Sequence, residues 1–170
     1  MKRFLLLIFA IVSINFCHAQ AAKVKAMYIW NFTKEIEWPA SEKNGDFVIC
    51  IVNQNDVLNQ VRTFTNGKMA GTCPISVVGV KTIDEISKCH ILCLPFADSK
   101  AEKLNSAIAK IGDGSSTLIL SDRPGALKNG ACINFVQVDD NIKYEINKKA
   151  IDDRKLHVST NLVNHAASAE

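Results

Sequence analysis

The sequence predicts a single α/β domain, and three observations carry that expectation. Short apolar runs without alternation recur along the chain, as expected of strands buried on both faces. Segments with apolar residues at helical spacing separate them, so strand and helix alternate until Thr117 opens the fourth strand. Beyond it, two runs flank Asp139-Asp140-Asn141, residue types that bend a chain, and read as a hairpin. The expected architecture is a Rossmann-like layered fold: a mainly parallel sheet flanked by helices, closed by a C-terminal β-hairpin.

The elements follow in order. Lys2 and Arg3 precede an apolar stretch, Phe4 to Phe16, that is too short to span a bilayer. Cys17-His18-Ala19 fits a small-residue cleavage site, so residues 1–19 are expected to be a signal peptide and residues 20–170 the mature domain. A lipoprotein signal using Cys17 is the rival, but Ile14-Asn15-Phe16 are too bulky for it. Ala21 to Trp38 is expected to be helical, with Val24, Met27, Tyr28, Phe32 and Ile36 on one stripe and Pro39 as its stop. Asp46 to Val52, Pro74 to Val80, Cys89 to Pro95 and the run from Thr117 are the strands. Gln54 to Phe64 and Ser99 to Ile111 are the helices between them, and Ile83 to Ser87 is a helical turn. Pro124 and Gly125 stop the fourth strand, because Pro lacks a donor and Gly tolerates positive φ. In the hairpin, Ile142, Tyr144 and Ile146 alternate with Lys143, Glu145 and Asn147, giving one buried and one wet face. Lys148 to Asp152 is a helical piece and Lys155 to Val158 an extended one. Asn161 to Ala167 is a last helix capped by Ser159 or Thr160.

Charge and cysteine content narrow the function. Without residues 1–19, Lys+Arg falls from 20 to 18 against 17 Asp+Glu, so the net charge falls from +3 to +1. That balance argues for neither nucleic acid nor acidic lipid as a partner. Five cysteines remain in the mature chain: Cys50, Cys73, Cys89, Cys93 and Cys132. In an oxidising compartment at least one disulfide is expected, with one thiol left over; composition does not decide the pairing. Each is equally well read as a small buried hydrophobe.

Motifs for chemistry are few. Gly112-Asp113-Gly114 follows a helix and precedes a strand, the reverse of a phosphate-cradling loop. Cys89-His90 and Cys93 resemble metal ligands, but on a strand His90 faces away from the two cysteines and no partner pair exists elsewhere. There is no Gly-x-Ser-x-Gly, so a serine hydrolase lacks its nucleophile turn, and no catalytic residue or cofactor is expected. His157 and His165 are isolated, and the Asn31-Phe32-Thr33 sequon falls inside a helix. Ser121 and Asp122, with Gly125, sit at the end of a strand, where open α/β sheets place ligand crevices. They serve equally well to hydrogen-bond their own turn. Trp30, off the helical stripe, and Trp38, at the helix end, are candidates for a partner contact or for packing on the domain itself.

The order of these features resembles the YfiR family of small secreted α/β proteins. The resemblance runs through Ala26-Met27-Tyr28-Ile29-Trp30-Asn31-Phe32 with Glu37-Trp38-Pro39, Phe47-Val48-Ile49-Cys50-Ile51-Val52, and Cys89-His90-Ile91-Leu92. It continues through Leu120-Ser121-Asp122, Pro124-Gly125, Ile133-Asn134-Phe135, Tyr144-Glu145-Ile146-Asn147 and Val158-Ser159-Thr160. It implies a non-enzymatic periplasmic repressor that binds the sensor domain of an inner-membrane diguanylate cyclase, linked to cyclic-di-GMP and biofilm. It also implies a disulfide joining Cys50 to Cys89. Cys132 departs from the family, which more often has an apolar residue there. The alternative is an envelope protein that binds a small molecule at Ser121, Asp122 and Gly125. Two-fold self-association is a further expectation.

Overall fold

The computed structural model describes residues 20–112 and 114–170. The expected signal peptide and Asp113 of the glycine turn lie outside the described residues. Helix α1 covers residues 20–35. It is followed by β1 (Ile36–Glu37), β2 (Phe47–Val52), α2 (Asn55–Thr65), β3 (Met69–Ala70), β4 (Cys73–Val80), β5 (Ile91–Leu94), α3 (Ala101–Ile111) and β6 (Leu118–Ser121). The chain then forms β7 (Ile133–Val138), β8 (Asn141–Ile146), α4 (Lys148–Asp153), β9 (His157–Val158), α5 (Thr160–Asn164) and β10 (Ser168–Ala169).

The sheet keeps the expected parallel core and closing hairpin but is mixed at its flanks. It is a mixed, eight-stranded sheet in the order β10-β8-β7-β6-β5-β2-β4-β3. The central block β4-β2-β5-β6-β7 is parallel throughout. Both flanks bring in antiparallel pairs, β7 with β8 and β3 with β4. The crossovers are thin, and the one at Ile83 is the helical turn expected there. Between β4 and β5, and again between β6 and β7, the chain makes only short 3-10 turns, at Ile83–Glu85 and Ala126–Asn129. Gly125 and Gly130 bracket the second turn at φ 79° and 96°, conformations open to glycine without strain.

The strands form where apolar residues run on. All four residues of β5 and of β6 are buried, as are five of the six in β2. Such runs need cover on both faces, which the centre of a parallel block provides.

Two other expectations are corrected by pairing at long range. Helix α1 ends at residue 35, three residues before Trp38. Ile36 and Glu37 instead pair antiparallel with Val158 and His157 in a separate two-stranded ribbon. The C-terminal helix stops at Asn164, capped as expected by Ser159, whose Oγ accepts from Leu162 N. Ser168–Ala169 then pairs parallel with β8, because the outer edge of β8 offers backbone groups that need partners. The stripe on α1 is also turned: Ala22, Ala26, Ile29 and Phe32 are its buried apolar residues, while Met27 is 40% exposed.

Candidate binding groove and a closed crevice at opposite ends of the sheet

Helix α1 runs from one end of the parallel block to the other, and the two ends differ in kind. Near its start, Lys25 Nζ donates to Asp122 Oδ2 at 2.5 Å, with both side chains about six-sevenths buried. Gln54 Nε2 approaches the same oxygen at 3.4 Å. Asp122 directly follows β6, so this is the carboxyl end, and β2 and β5 flank the point where the strand order reverses. Open α/β sheets bind small molecules there. Here the crevice between Lys25, Gln54, Ser121, Asp122 and Phe135 holds about 10 Å³, the lower limit for one water. Ser121 is buried and its Oγ accepts from Arg123 N, so it serves its own turn. Gly125 sits in the next turn and does not line the crevice.

The other end is open. A groove of about 790 Å³ lies against the starts of β2 and β4, at Phe47 and Cys73. Its walls are the last turn of α1 (Thr33 to Glu35), the β1–β9 ribbon, the 3-10 turn at Glu42 and the β3–β4 corner. Trp38, 5% exposed, forms part of the floor and meets Phe47 edge-on at 4.8 Å. Burial leaves its indole no free outer face. Trp30 is half-buried on α1, beside the groove. The rim is charged with both signs. Glu37 and Lys43 are 3.6 Å apart, Lys88 pairs with Glu42 at 2.7 Å, and Ser159 Oγ donates to Glu35 at 2.5 Å.

His90 ties this groove to the sheet. Its Nδ1 accepts from Val48 N at 3.0 Å, which leaves Nε2–H to donate to Glu42 O at 2.9 Å. The ring stacks on Phe47 at 4.4 Å. The role is structural: among the described residues no group of three His, Cys, Asp or Glu side chains converges on a metal position. His90→Ala leaves a buried N–H and a carbonyl without partners and removes the stack, a loss of about 2–3 kcal/mol. His90→Gln, able to keep one of the two bonds, is expected to fall between, and urea unfolding of the three proteins checks the order.

The thiols are buried, and all five are free in this structure. Cys50 lies on β2 and Cys89 just before its neighbour β5, and the two thiols influence each other. The Cys89 S–H held toward Cys50 pulls the Cys50 thiol below its usual range and pushes Cys89 up, with burial adding to the rise. Burial drives Cys93 upward and pushes Cys132 up to about 11. Cys73 lines the groove.

The sequence reasoning missed Lys25, which closes the crevice, and the rim residues Glu35, His157 and Ser159. The only signal for the last three was the short extended piece before Val158, whose partner lies more than a hundred residues earlier.

The domain thus carries a filled crevice at the carboxyl end of its parallel block and an open groove at the other end. The chain belongs to the YfiR/HmsC-like family, which it matches over residues 22–167. Membership points to a periplasmic regulator in cyclic-di-GMP signalling. Compared with curated proteins, the chain has no match. Among the described residues no helix is long and apolar enough to cross a membrane.

Proposed function

We propose that this protein docks through its amino-end groove onto the sensor domain of an inner-membrane signalling protein, most simply a diguanylate cyclase, and holds it inactive. The observation that carries the reading is the placement of open surface. Space for a partner lies at the end opposite the ligand crevice, with an apolar floor and a rim of both charges, the anatomy of a protein interface. Trp30 presents the adjoining helix face, and Trp38 supports the floor from within. The family supports the regulatory role, and the Lys25–Asp122 pair weighs against the small-molecule reading at Ser121, Asp122 and Gly125.

In the oxidising periplasm we further propose that Cys50 and Cys89, whose thiols already influence each other, form a disulfide. It would close a loop of roughly 40 residues and stabilise the fold by about 3–4 kcal/mol. Reductant should therefore lower the urea midpoint of the wild-type protein and leave that of a Cys50→Ser/Cys89→Ser variant unchanged. A wild-type midpoint indifferent to reductant contradicts the bond.

The function is tested by affinity capture of the tagged mature protein from envelope extracts, with and without a thiol reductant. Recovery of one inner-membrane sensor, diminished on reduction, is the expected result. Recovery of the bait alone in both conditions sinks the proposal.

A further inference from the structure

We infer that the face around Trp30 is a carboxylate-binding patch, built to receive an acidic side chain flanked by apolar residues on the protein partner. Two ammonium groups lie against one indole: Lys34 Nζ is 4.9 Å and Lys68 Nζ 4.7 Å from the Trp30 ring centroid. Lys68 also lies 4.9 Å from the ring of Phe64. The other cations seated over rings have a polar partner: Lys25 has Asp122, and Arg123 donates to Phe96 O. Among the described residues, Lys34 and Lys68 have neither a carboxylate within ion-pair distance nor a side-chain hydrogen bond. The indole attracts each ammonium by about 0.5–1 kcal/mol at an exposed site. An anion at the edge of that ring gains from both.

The apolar setting selects the kind of anion. Trp30 and Phe64 are half-buried, and Met69, next to Lys68, is 46% exposed. A phosphate lattice or an anionic bilayer is held by a row of cations. Here two cations sit against aromatic rings, which suits one carboxylate on an apolar segment. Lys34 also lines the groove, so the patch continues the docking surface. The identity of the physiological partner rests on the regulator reading; the anion preference does not.

The test uses the mature protein and its own fluorescence. Trp38 is buried, so collisional quenching reports Trp30. The iodide quenching constant is expected to exceed that of caesium by roughly three- to fivefold at moderate ionic strength. The ratio should fall to about one in Lys34→Gln/Lys68→Gln, with unchanged circular dichroism showing that the variant is folded. A short peptide alternating Glu and Leu should protect Trp30 from iodide, and the same peptide with Gln for Glu should not. Equal constants for the two ions in the wild-type protein overturn the patch. Protection by phosphatidylglycerol vesicles in place of the Glu peptide overturns the assignment to a protein carboxylate. If capture of a sensor succeeds but the double Gln variant captures it equally, this inference fails while the regulator reading stands. If capture fails and the iodide preference persists, the reverse holds.

Discussion

Truncating Phe32 to alanine is expected to cost about 4 kcal/mol, the largest loss of any single substitution considered for this domain. Phe32 is wholly buried and is the hub through which α1 grips the hairpin. Its ring stacks with Tyr28 at 6.3 Å and Phe135 at 6.1 Å, and meets Tyr144 edge-on at 5.4 Å. Tyr28 and Tyr144 extend the contact with hydroxyl bonds, to Ile142 O at 3.3 Å and Leu162 O at 2.9 Å. Alanine loses the transferred ring, opens a cavity and disbands three aromatic pairs, each worth about 0.5–1.5 kcal/mol beyond its area. Urea unfolding should show a lower midpoint with an unchanged slope. Helix α1 carries both Lys25 and one wall of the groove, so partner capture should fall with stability. A loss below about 1 kcal/mol would mean that α1 is not docked as described.

Replacing Lys25 with alanine is expected to cost about 3 kcal/mol, because it strands the Asp122 carboxylate in a nearly closed space. The pair itself contributes far less than that figure, since both charges gave up hydration to meet. The double variant Lys25→Met/Asp122→Leu should therefore recover most of the loss, filling the crevice with apolar volume. Asp122→Asn, which keeps shape and one acceptor, should be the mildest of the set. Thermal or urea unfolding of the four proteins reads the pattern directly. A double variant no better than Lys25→Ala would show that the ion pair, rather than the absence of an orphaned charge, stabilises this end.

Much of the fold was legible because its strongest signals are local. β2, β5 and β6 are unbroken apolar runs, and the hairpin announces itself through Asp139 and Asp140 and the alternation after them. What escaped is what distant chain supplies. Nothing near Ile36 says that the helix must release it, since the partner strand is at His157–Val158. The predicted helix runs on to Ala167, and nothing local marks Ser168–Ala169 as a strand until the edge of β8 is there to pair with it. The site divides in the same way. Ser121 and Asp122 stood out as a strand end, but the ammonium that fills their crevice comes from Lys25, 97 residues away in sequence. Trp38, at the helix terminus, was open to partner contact or to packing on the domain, and it packs. The early end of α1 turns it inward onto Phe47. The groove was invisible because its walls come from both ends of the chain.

The most direct test of the account is site-specific photo-crosslinking in intact envelopes. A photoreactive residue is placed at Lys43 or His157 on the groove rim, and at Arg123 beside the closed crevice as the control. The account predicts an adduct with one inner-membrane sensor from the groove positions and none from Arg123. An adduct from Arg123 alone, with the groove positions silent, would contradict it and move the working surface to the carboxyl end of the sheet.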